Sequence, residues 1–508
     1  MSRHLGRFFF DILRKANPKD VAMMNSEMKR KLTYEDMFVG SLRLAKALKN
    51  RNVKRGDVVG IVCENRPEYF VPIMACFYQG IIVHPMNAAF TTRELELSYA
   101  CSKPKLIFTS DKNMSTLENL KNSTDYLREI ISFDSWKYSD MVKSGEALDD
   151  IDDSAGDPDD PAVVLSSSGT TGLPKGVVLT MNNIINTFIS LRYPYLHFTP
   201  STVAIGMLPF CHVFGFLISL GNIEGNSKTV ILPKFIPELY CETIQSFNIQ
   251  SIQVVPSIAI FLAKHPTVDK YDLSCLSDIV SGGAILNPQI QVILENKFDC
   301  SVRQVYGMSE TCGIMTMSPP GEVCKLGSCG KLIPGVSAKI VDTTTNRRLG
   351  ANISGEICLK SPIIMKEYLN DAEATRKAFD EEGFFRTGDL GYIDEDGYFF
   401  IVDRLKDLIK YKGYQVWSTE IEDLLMSHKD IIEASVIGIP DDKHGELTMA
   451  IIVKRVGCDL TENEVIKFVA ENLSEIKGLH GGVRFMKEIP KGTTGKIQKK
   501  KLREMFQP

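Results

Sequence analysis

Apolar positions in the first part of the chain recur in two periods. From Leu32 to Asn50 they fall at helical spacing, and the stretch ends in a polar turn at Gly56. Asp57 to Cys63 carries Val58-Val59-Gly60-Ile61-Val62, a continuous apolar run of strand length. The pattern predicts a helix around Tyr69 to Gln79, then strands over Gly80 to Val83 and Leu106 to Thr109. Strands without polar alternation, separated by helical stretches, predict an α/β fold with largely parallel pairing.

Asp149 to Pro161, rich in Asp, Ser, Gly and Pro, predicts a solvated connector leading into a strand at Ala162 to Leu165. Further strand-length apolar runs lie at Val203 to Met207, Val230 to Leu232, Ile252 to Val255 and Asp278 to Val280. The pattern changes near Arg404: strands shorten and charge density rises from Tyr398 onward. Thr419-Glu420-Ile421-Glu422 has capping-box spacing before Leu424 and Leu425, predicting a helix start there. Ala434 to Ile439 and Met449 to Val453 read as strands, and Glu462 to Asn472 as a helix. The expected division is a large domain over residues 1–403 and a small α+β domain over 404–508.

A length of 508 residues with 44% hydrophobic content is enough for more than one core. A net charge of −4 lacks the basic excess of a nucleic-acid binder. The 12 cysteines include no Cys-x-x-Cys pair, and Cys324 and Cys329 have no neighbours to complete a zinc set, so a reducing compartment is expected. Phe8 to Phe10 is too short a run for a signal peptide and is broken by Asp11. Val71 to Val83 is too short to span a bilayer. No Ser-Lys-Leu address ends the chain, and the expected location is cytoplasmic.

The chemistry concentrates first at Ser166 to Gly176, Ser-Ser-Ser-Gly-Thr-Thr-Gly-Leu-Pro-Lys-Gly. Its hydroxyls, its glycines and the mobile charge of Lys175 suit a polyphosphate. It is not a Walker A loop, because Lys175 is followed by Gly176 rather than Ser or Thr. A Ser/Thr/Gly cluster alone is more often a surface loop. The ordered Pro174-Lys175-Gly176 between two predicted strands favours the phosphate reading.

That loop resembles the signature of the adenylate-forming superfamily: acyl-CoA synthetases, coumarate–CoA ligases, beetle luciferases and peptide-synthetase adenylation domains. Further segments carry the resemblance in order along the chain. They are Leu208 to His212, Ser281-Gly282-Gly283-Ala284, Tyr306 to Thr311, Thr387-Gly388-Asp389, Asp403 to Lys406, Lys412 to Val416 and Pro490 to Lys496. The run Phe399 to Val416 is most similar to the coumarate–CoA ligase and luciferase branch.

The resemblance implies an α/β architecture. Its parts are a large N-terminal domain of sheets layered with helices, a small β-barrel-like subdomain, and a mobile C-terminal domain hinged near residues 404–407. It implies ATP, Mg²⁺ and coenzyme A acting on a small carboxylic acid, a fatty acid or an arylpropenoic acid. An acyl-adenylate forms first, and CoA thiol then displaces AMP. Nucleotide contacts are implied for Ser167, Ser168, Gly169, Thr170, Thr171 and Lys175, for Gly283, Ala284, Gln304, Tyr306, Gly307 and Ser309, and for Asp389, Arg404 and Lys406. Glu310 is the implied Mg²⁺ ligand. Lys496, Lys412, His212 and Thr311 are the implied catalytic residues. The acyl and CoA pocket would include His212, Phe214, Gly215, Ser281, Gly282, Arg303, Lys412 and Gly413. Lys496 would bridge carboxylate and α-phosphate, and Lys412 would serve the opposite face of the small domain.

Two departures stand out. Trp417-Ser418 replaces the Ala-Pro usual after Gly-Tyr-Gln-Val, and local packing is the expectation for the Trp. Thr187 stands where beetle luciferases typically carry a luciferin-contacting Arg, and Arg192 is out of register for that role. This weakens a luciferase-type monooxygenase reading without removing it. A stand-alone amino-acid adenylation enzyme would carry an Asp between Phe210 and Val230, and none occurs. A non-catalytic nucleotide-binding homologue would have lost Lys175, Glu310, Asp389, Arg404 or Lys496, and all are present.

Overall fold

In the computed structural model, Val58–Val62 is an inner strand of a seven-stranded sheet. The structure describes residues 4–151, 156–167, 175–192, 194–196, 198–322, 324–455, 457–492 and 495–506. The sheet runs Glu367–Tyr368, Lys175–Thr180, Pro161–Ser167, Ile82–Met86, Val58–Val62, Leu106–Thr109, Glu129–Ser132. The five strands from Pro161–Ser167 onward are parallel to one another, and Lys175–Thr180 pairs antiparallel with both Pro161–Ser167 and Glu367–Tyr368. Helices Leu5–Lys15, Tyr34–Asn50 and Phe70–Phe77 pack together beside it. Burial on both faces explains why Val59, Ile61 and Val62 are all apolar.

The helix expected from Leu32 begins at Tyr34 instead. Lys31–Thr33 is a short strand, and Thr33 and Asp36 close a capping box that fixes the helix start. The apolar run after Gly80 pairs as Ile82–Met86.

A second sheet holds Ser251–Val254, Asp278–Ser281 and Ser301–Met308 in parallel, then turns antiparallel through Gly313–Met317 and Lys331–Leu332. A third, four-stranded sheet joins Lys31–Thr33, Val21–Asn25, Lys228–Ile231 and Val203–Gly206. The barrel-like subdomain takes another form. Ser337–Val341, Gly355–Lys360, Phe385–Ile393 and Phe399–Arg404 make an open antiparallel sheet whose outer strands do not pair with each other. With four short strands, closure would demand more curvature than the pairing supplies.

The C-terminal part has its own core around Val436, Ala450, Ile421 and Val469. Its sheet is built on the long hairpin Ile431–Asp441 and Gly445–Lys454, with helices Ser418–Met426 and Glu462–Asn472 against it. The expected capping box at Thr419 is absent. Trp417 is the N-cap and makes no side-chain cap bond. Glu422 is used elsewhere: it accepts from the Val436 N–H at 2.7 Å and pairs with Lys499 at 2.9 Å. Among the described residues, no helix is long and apolar enough to cross a membrane.

Candidate active site

Residues from strands of three sheets border one cleft. Asp389 and Arg404 face each other across antiparallel strands Phe385–Ile393 and Phe399–Arg404. Arg404 Nε lies 3.1 Å from Asp389 Oδ1, and Tyr306 donates its hydroxyl to Asp389 Oδ2 at 2.9 Å. Asp389 is only 4% exposed, so two donors hold a nearly dry carboxylate. Burial, then the Asp389 charge, pushes the Tyr306 phenol up, while Asp389 holds the Arg404 proton more tightly. Asp389 still has lone pairs to offer a ligand, since each carboxylate oxygen accepts more than one bond.

Tyr306 lies near the end of the strand Ser301–Met308, which leads into the turn Ser309–Thr311. A Cβ on Gly307 would lie 1.7 Å from the Gly313 carbonyl oxygen, so only glycine fits. Thr311 is fully buried, and its hydroxyl accepts from Met308 N–H and donates to Gly313 O. It therefore holds the turn that presents Ser309 and Glu310. Glu310 accepts from the Tyr368 hydroxyl at 3.0 Å, and the Tyr368 ring sits under Lys175 Nζ at 4.7 Å. This brings a carboxylate and an ammonium to one aromatic ring at the start of the strand Lys175–Thr180. Ser167 and Lys175 are cross-strand partners. Ser168, Gly169, Thr170 and Thr171 lie outside the described residues.

Lys496 enters this cleft from the C-terminal domain. Its Cε is 3.6 Å from where a Cβ on Gly283 would stand, and Gly283 has φ +89°. A side chain there would be strained and would crowd the lysine. A Cβ on the neighbouring Gly495 would meet Ser257 Oγ at 2.9 Å, so the loop is seated on the large domain. Asn287 donates to Asp423 at 2.9 Å and adds a second contact between the domains. The cleft walls, then Arg404, lower the Lys496 amine to about 8, against the opposing pull of Asp389 and Glu310. Its side chain remains reachable by water. His212, the residue before helix Val213–Glu224, is lowered to about 4 by burial and then by Lys496, so it is neutral near pH 7.

The remaining expected residues fall in three places. Ala284 and Ser309 border the cleft on the turns that follow Asp278–Ser281 and Ser301–Met308. Gln304 accepts from Leu286 N–H at 3.0 Å and so shapes the segment after Gly283 and Ala284. Gly282 packs against Val305 and Phe214, Ser281 is buried beside it, and Gly215 packs on the Leu208 and Pro209 carbonyls. Arg303, expected at a pocket edge, is 2% exposed. It forms a fork with both Asp278 oxygens at 2.7 Å, and it also donates to the Ser318 carbonyl. Lys412 and Gly413 form the tip of the hairpin between Ile409–Tyr411 and Tyr414–Val416. Lys412 is exposed and neighbours Tyr411, His444 and Glu475, none of which belongs to the cleft. Lys406 is exposed in the turn after Arg404.

Beyond Phe214 lies a narrow, mainly apolar slot of about 40 Å³ that sequence patterning did not reveal. Helices Met181–Leu191 and Val213–Glu224 form its long walls. Thr187 borders it, but its hydroxyl is engaged by the Asn183 carbonyl at 2.9 Å. A helical stretch that is apolar around most of its circumference, as in Val213–Glu224, was the available signal.

The chain belongs to the AMP-binding enzyme family, whose main domain matches residues 11–369 and whose C-terminal domain matches residues 420–496. Its relatives include adenylate-forming enzymes of two activities. The chain is 38% identical to luciferin 4-monooxygenase of Photuris pensylvanica, over 96% of this chain and 92% of that protein. It is 34% identical to 4-coumarate-CoA ligase 1 of Narcissus pseudonarcissus, over 93% and 88%. The ATP-bound structure of MatB from Rhodopseudomonas palustris superposes with a TM-score of 0.91 at 29% identity, over 100% and 99% of the two chains.

Proposed function

We propose that the protein is an ATP-dependent carboxylic acid–CoA ligase whose acid is a fatty acid. The observation that carries the reading is Lys496, which stands between the nucleotide-side cluster of Asp389, Arg404 and Glu310 and the His212 end of the apolar slot. Joining a carboxylate to an α-phosphate brings two anions together, and an ammonium at that point offsets their repulsion. Asp389 accepts from the ribose hydroxyls, with Arg404 beside it, and Tyr306 flanks the adenine. Lys175 and the hydroxyl-rich loop hold the outer phosphates.

Glu310, an oxygen ligand beside the phosphate loop, fits a hard cation, and Mg²⁺ bound there would neutralise phosphate charge. Neutral His212 lines the wall where acid meets adenylate without adding a second positive charge beside Lys496. In the second half-reaction CoA thiol attacks the acyl carbonyl and AMP departs. Rotation of the C-terminal domain about residues 404–407 would withdraw Lys496 and bring Lys412 to the cleft.

The slot supports a fatty acid over an arylpropenoic acid. Apart from Thr187, whose hydroxyl already donates to the Asn183 carbonyl, its walls between His212 and Arg192 are apolar and suit an alkyl chain. The likeness to luciferin 4-monooxygenase favours an oxygenase as the second reading. One experiment separates them: pyrophosphate release over fatty and arylpropenoic acids, with and without CoA, alongside light output with luciferin, ATP and Mg²⁺. Acyl-CoA formation from fatty acids without light is the expected result. Light with luciferin and no acyl-CoA from any acid would replace this reading with the second.

A further inference from the structure

The apolar slot ends at an ion pair. Arg192 follows the last residue of helix Met181–Leu191, and Glu224 is the last residue of helix Val213–Glu224. Their side chains meet directly, and both line the slot. The second helix starts beside His212 and its 12 residues rise about 18 Å, so the pair stands at the end of the slot remote from the cleft. Between the two ends the walls are Phe188, Leu191, Phe214, Leu217, Ile218 and Ile314. Arg192 and Glu224 are the charged residues of the lining.

Glu224 stands at a helix C-terminus, where a carboxylate opposes the helix dipole. Its partner Arg192 offsets that cost. The pair is partly exposed, with side-chain exposures of 47% for Arg192 and 19% for Glu224, so it is worth little as a stability element. Its location fits a different task. An alkyl chain entering from His212 meets apolar walls until it reaches two charges that cannot be desolvated cheaply.

We propose that the Arg192–Glu224 pair is the stop that sets the longest unbranched acyl chain the enzyme accepts. The inference rests on the fatty-acid reading above. A chain that ends short of the pair is bound by the walls alone, which must draw apart from the narrow slot of about 40 Å³ to admit it. A longer one must part the two charges or fold back.

The test is kcat/KM for pyrophosphate release with hexanoate, octanoate, decanoate, dodecanoate and hexadecanoate. It compares the wild type with Arg192→Ala, Glu224→Ala, and the exchange Arg192→Glu with Glu224→Arg. Each alanine variant is expected to move the optimum to a longer acid, raising the ratio of the next longer acid to the wild-type optimum by about tenfold or more. The exchanged pair is expected to return the wild-type profile, which a merely damaged fold would not do. An unchanged length profile in both alanine variants overturns the stop and leaves the fatty-acid reading intact. A wild type that activates no fatty acid overturns both.

Discussion

Ser418 gives both its backbone N–H and its hydroxyl to one oxygen of Asp403, at 2.9 and 2.7 Å. Asp403 precedes Arg404 at the end of the strand Phe399–Arg404, and Ser418 opens the helix Ser418–Met426. Lys499 then donates to the Ser418 hydroxyl at 2.7 Å and pairs with Glu422. The proline usual at this position in similar sequences has neither donor. On the proposed rotation about residues 404–407, these bonds would fasten Ser418 to the strand Phe399–Arg404 in the arrangement that seats Lys496. Ser418→Pro should lower the rate of adenylate formation about tenfold, since a bond to a buried charged group is worth roughly 1.5–3 kcal/mol. Thiolysis of supplied acyl-adenylate should change much less. Separate assays of the two half-reactions check this, and equal losses would reduce Ser418 to a fold element.

Lys496→Ala should suppress pyrophosphate release by about 10²–10³-fold, the range seen when a group stabilising developing charge is removed. Thiolysis of supplied acyl-adenylate should survive. Rapid-quench measurement of each half-reaction is the check, and loss of both would reject a role confined to adenylation.

Lys412→Ala should show the opposite bias. Its exposed hairpin tip stands outside the present cleft, so adenylate should form at close to the normal rate and accumulate. Slower pyrophosphate release than thiolysis in this variant would reverse the assignment of the two lysines.

The lowered Lys496 amine gives a pH dependence with a definite sign. Below about 8 it is charged, and above that it is neutral. kcat/KM for ATP, which reports the free enzyme, should be high on the acid side and fall as pH rises through about 8. His212, held near 4, contributes no alkaline limb. Lys496→Arg, permanently charged in this range, should flatten that limb. A limb that persists in the arginine variant belongs to another group.

Local patterns were legible where one interaction decides the element. Glu462–Asn472 falls where its periodicity puts it, because Thr461 and Glu464 close a capping box. The same spacing at Thr419 and Glu422 misleads, because tertiary partners take the glutamate away. Asp389 and Arg404 are recognisable as motif residues, but their pairing comes from strand register, which no short-range pattern encodes. Arg303 resembles a pocket residue by position, yet Asp278 on the adjacent strand claims its guanidinium. The ion pair at the end of the slot is illegible in sequence, since Arg192 and Glu224 meet only when two helices align.

The seating of Gly495 against Val255 and Ser257 bears on kinetic order. On the proposed two-step reading, the loop would leave before a thiol approaches from the face that presents Lys412. ATP and acid must then bind, and pyrophosphate depart, before CoA enters productively. Initial-rate patterns should be ping-pong between the acid–ATP pair and CoA. On the proposed ligase reading, tethering residue 495 to residue 257 by an engineered disulfide would leave a catalyst arrested at one acyl-adenylate per chain.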